Sequence, residues 1–221
     1  MIPKKHEIMK PLTSLVLTAS FTTSLALADT VNFDDLKTGA PPPGWTVGVT
    51  GKGQANWLVE RDESAPSKPQ VLKQAGEATF AVALKDGTSL QDGVIEVKFK
   101  TLSGQQDQVG GLIWRASDTN NYYVVRAQAL RGNLGFYKAV DGKRTTLKKA
   151  DGKDAVFPAT VQRGQWHTLR VEFTGKRCKA TLDGKDSFEV EDDTFSSAGQ
   201  VGVWTKADSV TVFDDFVFGS K

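Results

Sequence analysis

From Asp29 onward the chain runs in short segments whose apolar residues recur at every second position. Ile95, Val97 and Phe99 alternate with Glu96, Lys98 and Lys100, and Leu169, Val171 and Phe173 alternate with Thr168, Arg170 and Glu172. A period of two sends successive side chains to opposite faces, so each segment reads as a strand with one buried and one wet face. Asp-Gly pairs at 86-87, 92-93, 141-142, 151-152 and 183-184 punctuate these segments and predict tight turns, the last between the strands KATL and DSFEV. No segment carries the spacing of an amphipathic helix. The stretch from Thr38 to Pro69, with its Pro-Pro-Pro-Gly and APSKP motifs, reads as a long structured loop with a strand near Asn56 to Glu60. The pattern predicts an all-β, antiparallel sandwich or barrel.

The 221 residues, with 12 Phe and 5 Trp, suffice for one domain with a proper core. No linker, composition shift or internal repeat divides the chain after Asp29. The start is different in kind: Lys4, Lys5 and Lys10 precede an apolar, hydroxyl-diluted stretch from Leu12 to Leu25, followed by Ala26-Leu27-Ala28. This is the pattern of a removable secretory signal over 1–28, too short and too polar for a good membrane span, with Met9 a more compact start than Met1. The expectation is a mature domain over 29–221, secreted or periplasmic, without a membrane span.

Removing 1–28 takes away three Lys and one Glu, so the basic count falls from 28 to 25 and the acidic count from 26 to 25. Such a neutral chain lacks the cationic excess that displaces counterions from phosphate, which argues against nucleic acid as a partner. The local basic run from Lys138 through Lys143, Arg144, Lys148, Lys149 and Lys153 is interrupted by Asp141, Asp151 and Asp154, and reads as a solvated hairpin face. Cys178 is the sole cysteine, so no intramolecular disulfide forms; it alternates in phase with Ala180 and Leu182 and reads as a small buried hydrophobe.

The run GLIWRASDTNNYYVV, then GQWHTLRVEF, the hairpin KATLDGK, and finally GQVGVWTKADSVTVFDDFVF resemble concanavalin A-like lectin/glucanase domains. Within them they are most similar to laminin-G-like jelly rolls and to secreted bacterial domains related to 3-keto-disaccharide hydrolases and family-16 glycoside hydrolases. The resemblance covers residues 75 to 219. It implies a two-sheet antiparallel β-sandwich of jelly-roll type, one sheet curved into a groove, with the first and last strands side by side. The superfamily holds lectins, glycosidases and inert modules, so it does not by itself select a function.

The motif FDD occurs near the front, in VNFDDLKTG, and at the end, in VFDDFVFGS. In the second copy Asp214 shares parity with Val210, Val212, Phe216 and Phe218, so a regular strand would carry a carboxylate inward with them, and a buried carboxylate needs partners. Three arrangements supply them. A bulge at Asp214-Asp215 would keep the Phe residues inward and turn the acids to a loop. The first strand could donate N–H groups. Asp214 and the inward-parity Asp35 could hold a structural calcium, as jelly-roll relatives often do, with backbone carbonyls completing its six to eight oxygens. No cofactor is otherwise required.

Catalytic signatures are sparse. The paired-acid strand motif of family-16 enzymes is absent, and the acidic string Glu189 to Asp193 lacks its spacing. His167, the one histidine outside the leader, lies in QWHTLRVEF, where a strand-opening packing role fits; there is no Gly-x-Ser-x-Gly elbow, and Gly51-Lys52-Gly53 is not a phosphate loop. Binding has better material. If cations point to water, Arg115 brings Ile113 to the outer face, Arg126 brings Tyr122 and Val124, and Lys138 brings Phe136. A face offering Tyr122 and Phe136 for stacking, with Arg115 and Arg126 as donors, suits an oligosaccharide or polysaccharide. Arg115 also stands where the hydrolase-related domains carry a strand-terminal Arg. The alternative is that Trp45 and Trp57, from the loop over 38–69, cover this face. Three functions follow: a non-catalytic carbohydrate-binding jelly roll, a glycoside hydrolase or lyase of the 3-keto-disaccharide type using acids such as Glu172, Glu96 or Asp118, and a laminin-G-like protein-interaction module.

Overall fold

The computed structural model describes residues 28–221, so the expected leader falls outside the described residues except for Ala28. Sixteen strands follow in order: β1 (Asp29–Val31), β2 (Trp45–Gln54), β3 (Trp57–Arg61), β4 (Gln70–Gln74), β5 (Glu77–Lys85), β6 (Gly93–Ser103), β7 (Val109–Asp118) and β8 (Asn121–Gln128), then β9 (Asn133–Val140), β10 (Lys143–Thr146), β11 (Val156–Pro158), β12 (His167–Thr174), β13 (Arg177–Leu182), β14 (Asp186–Glu191), β15 (Gln200–Ala207) and β16 (Val210–Ser220). They form two eight-stranded sheets, and no helix occurs among the described residues. The first sheet runs β14-β13-β12-β6-β16-β4-β3, with β1 also on β16; the second runs β10-β9-β8-β7-β15-β5-β2, with β11 also on β9. All pairings are antiparallel. This is the expected jelly-roll sandwich, and its first and last strands do lie side by side, with Val31 opposite Phe216.

Alternation does what the sequence predicts on β6 and β12. Ile95, Val97, Phe99, Leu169, Val171 and Phe173 are buried against Leu112, Trp114, Tyr123 and Val125 of the second sheet. Trp114 stacks on Tyr123 at 5.3 Å and on Phe173 at 6.2 Å, tying the sheets together. Each such side chain contributes on the order of 1.5–3 kcal/mol through burial. The sheets approach so closely at Gly110 that a Cβ there would run into the Phe99 ring, so this position has room for hydrogen only. Asp141 and Gly142, and likewise Asp183 and Gly184, have positive φ, as the tight turns require. Asp92-Gly93 differs: Gly93 opens β6, and the Asp92 carboxylate accepts the Gly175 N–H at 2.8 Å.

The loop read over 38–69 is instead partly strand. β2 covers ten residues of it, and β3 falls where a strand was expected. WTVGVTGKGQ hides its strand because Gly48 faces the Thr119 side chain, where an added Cβ would come within 2.9 Å of the Thr119 methyl. Trp45 and Trp57 enter the inter-sheet core rather than covering an outer face.

The carboxylate of the terminal FDD motif is fully buried, and a bulge explains how. The register of β16 on β6 shifts between Asp214 and Val217, and Asp215 adopts φ 46°. The extra residue lets Phe213 and Phe216, three apart, both reach the inter-sheet core, while Val212 packs with Ala65 and Val71 away from it. Asp214 accepts the Ser67 N–H and hydroxyl, each at 2.8 Å, and the Asp215 N–H at 2.7 Å. The donors thus come from the β3–β4 loop and the bulge, not from the first strand. Burial still raises the Asp214 pKa above the ordinary carboxylate value, because these bonds only partly offset desolvation. Asp35 is exposed in a turn, and no group of three or more His, Cys, Asp or Glu suited to a metal occurs among the described residues. With both Asp214 oxygens already taken by donors, Asp35 and Asp214 do not fit a calcium cage.

Candidate functional site

The two sheets present very different outer faces. On the first, exposed or half-exposed charges pair across strands: Lys98 with Asp215 at 2.7 Å, Arg170 with Glu96 at 3.4 Å and with Glu172 at 3.3 Å, Lys221 with Glu172 at 2.9 Å. This is a solvated ladder of opposite charges.

The second sheet is curled. Thr50 on β2 meets the Tyr122 hydroxyl on β8 at 2.8 Å although β5, β15 and β7 lie between them. Four strand spacings of a flat sheet would be about 19 Å, so the outer face is folded into a trough. The trough is filled by a second apolar cluster, including Phe80, Ile113, Tyr122, Val124, Tyr137 and Trp204. Phe80 stacks on Trp204 at 5.2 Å, and the Trp204 indole N–H donates to the Tyr122 hydroxyl at 3.2 Å. Burial raises the Tyr122 pKa, so its hydroxyl stays neutral and serves these hydrogen bonds.

Parity on β8 is as expected: Tyr122, Val124 and Arg126 share the trough face, while Tyr123 and Val125 enter the main core. The other two expected ligand residues are corrected. Phe136 shares parity with Lys138, but that side is the inter-sheet core, where Phe136 is wholly buried; its neighbour Tyr137 takes the trough. Lys138 instead donates to Asp192 at 2.7 Å at the sandwich edge. Arg115 adopts φ 50° at an irregularity of β7, so it leaves the alternation. Its buried guanidinium donates to the carbonyls of Gln91, Phe195 and Gly175 at 2.7–2.8 Å and to Asp92 at 3.2 Å, 5.6 Å from the Phe173 ring centroid. Arg115 is a buried clamp on three loops, with four of its five donors already engaged. Tyr122, though on the expected face, is likewise fully buried.

The residue that sequence reasoning missed is Arg144, taken there as part of a solvated run. From β10 it lays its guanidinium across the trough, 4.3 Å from the Tyr137 ring centroid, 4.6 Å from Phe80 and 5.6 Å from Trp204. Burial lowers its pKa from the ordinary arginine value, and nearby Arg126 adds to the effect, while Tyr137 and Asp107 oppose it. Arg126 donates to the Asn133 side chain and to the Tyr137 hydroxyl, each at 2.9 Å. Arg144 Nη1 and Arg126 Nε are buried without a hydrogen-bond partner. No sequence signal marked Arg144, because Trp204 and Phe80 reach it from strands four and five positions away in the sheet.

The trough continues into a cleft. Lys206 stands directly opposite Phe80 and borders a cavity of about 490 Å3 lined also by Lys52, Glu77, Thr79 and Gln106. Behind it the buried Asp107 accepts Lys206 at 2.5 Å and the Gln128 amide, and forms an ion pair with Arg131 at 3.5 Å.

The acids considered for catalysis do not assemble. Glu96 and Glu172 share Arg170 on the first sheet, and Lys221 lowers the Glu172 pKa, keeping it ionised. Asp118 ends β7 on the other sheet; against a burial contribution that raises it, the Asn120 and Asn121 hydrogen bonds lower its pKa. His167 sits in a polar cleft, but Nδ1 is held by Asp183 at 2.7 Å and Nε2 by the Gln162 backbone at 2.9–3.0 Å. Both ring nitrogens are spent on structure. Cys178 is buried with its thiol pKa pushed up to about 12, so it is no nucleophile.

No protein-family model matches the chain, and no curated protein matches it in sequence. Among solved structures it is similar to the carbohydrate-binding module CBM66 from Bacillus subtilis, at 21% identity and a TM-score of 0.62 over 78% of this chain and 93% of that one. It is similar to the Emp47p carbohydrate recognition domain at 14% identity and a TM-score of 0.55, over 86% and 93%. It is also similar to the Bacillus licheniformis beta-glucanase at 11% identity and a TM-score of 0.53, over 83% and 95%. At these identities the likeness is one of fold, a two-sheet jelly roll, which in those proteins serves binding modules and an enzyme alike.

Proposed function

We propose that this chain is an exported, non-catalytic carbohydrate-binding jelly roll whose ligand lies along the trough of the second sheet, over Arg144 and into the cleft at Lys206. One observation carries this reading: an aromatic platform of Phe80, Tyr137 and Trp204 topped by a guanidinium on a concave outer face. A sugar ring pairs an apolar face with a rim of hydroxyls, and this site sets Arg and Lys donors beside aromatic side chains. Structural similarity to a carbohydrate-binding module and a carbohydrate recognition domain supports the same reading. Export rests on the leader read at 1–28 and is part of the proposal.

The test is affinity electrophoresis and calorimetry of the chain against a set of polysaccharides. At least one should retard it, Tyr137→Ala should weaken that binding at least tenfold, and Arg170→Ala on the opposite sheet should leave it unchanged. If nothing retards the chain, or the two variants weaken binding equally, the reading fails.

A further inference from the structure

The trough and cleft carry a charge imbalance that a neutral sugar does not need. Arg131 and Lys206 pair with the buried Asp107, Arg126 and Arg144 share the Tyr137 ring, and the neighbouring acid, Asp208, is held by the Gln105, Gln106 and Asp107 N–H groups. Lys52 and Glu77 at the far wall of the cleft add one charge of each sign. Asp107 already accepts Lys206 and the Gln128 amide and pairs with Arg131, and neither arginine of the platform has a salt-bridge partner among the described residues.

Those two arginines are the deeper pair. Arg126 is only 6% exposed, with Nε unpartnered, and both guanidiniums face the same Tyr137 ring, at 5.3 Å and 4.3 Å from its centroid. Two like charges sharing one ring in a partly dehydrated trough are unfavourable, and the aromatic faces compensate only in part. An entering anion would relieve that repulsion and satisfy the free donors. The guanidinium fork matches a planar carboxylate bidentately, and the adjoining rings suit the ring that bears it.

We propose that the ligand of this site is an acidic saccharide, a sugar ring carrying a carboxylate, bound with that group at Arg144 and Arg126. This rests on the carbohydrate reading above and narrows it. The same excess charge should steer the ligand inward and make its binding sensitive to salt.

Calorimetric titration of the full chain with oligomers of galacturonate, glucuronate, guluronate and mannuronate, each beside its carboxyl-reduced form, tests it. At least one acidic oligomer should bind ten or more times more tightly than its reduced form, with the advantage shrinking between 50 and 500 mM NaCl. Arg144→Gln and Arg126→Gln should each collapse that ratio; Arg144→Lys, which keeps charge but loses the fork, should fall between. Near-UV circular dichroism separates loss of the site from loss of the fold, and the Lys variant keeps the test intact if a Gln variant fails to fold. Equal binding of acidic and reduced oligomers, or a ratio untouched by the substitutions, overturns the inference and leaves carbohydrate binding standing. Binding of neutral polysaccharides alone does the same. If no saccharide of either set binds, both readings fall.

Discussion

Arg170 and Arg144 are the same residue type on outward faces of the same sandwich, and they live in different chemistries. Arg170 lies on the first sheet between Glu96 and Glu172, one rung of a charged ladder open to water. Arg144 lies on the second sheet over Phe80, Tyr137 and Trp204, with Nη1 unpaired. The first face needs only to be solvated, and opposite charges on neighbouring strands achieve that. The second face is curled until it buries its own side chains, so it acts as a second core whose rim is cationic. A jelly roll has two outer surfaces, and here only one has the shape and the uncompensated charge to meet a ligand.

The largest expected effect breaks the comparison if it fails. Trp204→Ala, at a fully buried position in the trough cluster, should cost about 3–5 kcal/mol in denaturant unfolding, the range for removing a large aromatic from a core. A loss no larger than for a ladder residue would mean that the trough is not a core. Arg115→Ala comes next, at about 2–4 kcal/mol, because several buried carbonyls and Asp92 lose a charged donor at once.

Asp214 and Asp215 sharpen the comparison over one bond of chain. Asp214→Ala should cost about 1–3 kcal/mol by leaving the Ser67 and Asp215 N–H groups unsatisfied in the interior, while Asp215→Ala loses only a partly exposed pair with Lys98, about 0–1 kcal/mol. Their pH behaviour differs as well. The folded-state pKa of Asp214 is raised, so its contribution is full below the unfolded value near 3.8 and is lost as pH rises through the folded value. Asp214→Asn should therefore cost more at pH 3.5 than at pH 7, and a cost that grows with pH would refute the sign.

Asp192 should show the reverse. Although burial raises it, hydrogen bonds from Lys138, Thr194 and Tyr123 bring its pKa down to about 2, so its contribution is present above 3.8 and fades as pH falls towards 2. Urea unfolding of Asp192→Asn should converge on the wild type across that window. The smallest effect is expected of Arg170→Ala, within about 1 kcal/mol, since exposed pairs contribute little.

Much of this was legible in the residues. Ile95, Val97 and Phe99 declared a half-buried strand because each side chain's destination depends only on its own parity. Tyr122 and Arg126 were placed on one face by the same rule. Phe136 was misplaced because Lys138 was assumed to seek water, when it seeks Asp192 across the sandwich edge. Arg115 was misplaced because a left-handed residue in β7 breaks the count, and nothing in IWRAS announces it.

Alternation and turn chemistry, both local, determined the strands, the two layers and the wet face of the first sheet. Curvature decided the rest: the trough, the contact of Thr50 with the Tyr122 hydroxyl, and the laying of Arg144 on Phe80 and Trp204. Each of these joins residues on strands separated by others in the sheet, and the separation closes only when the whole sheet bends. Bending is a property of the packed strands together, so no single stretch of residues records it.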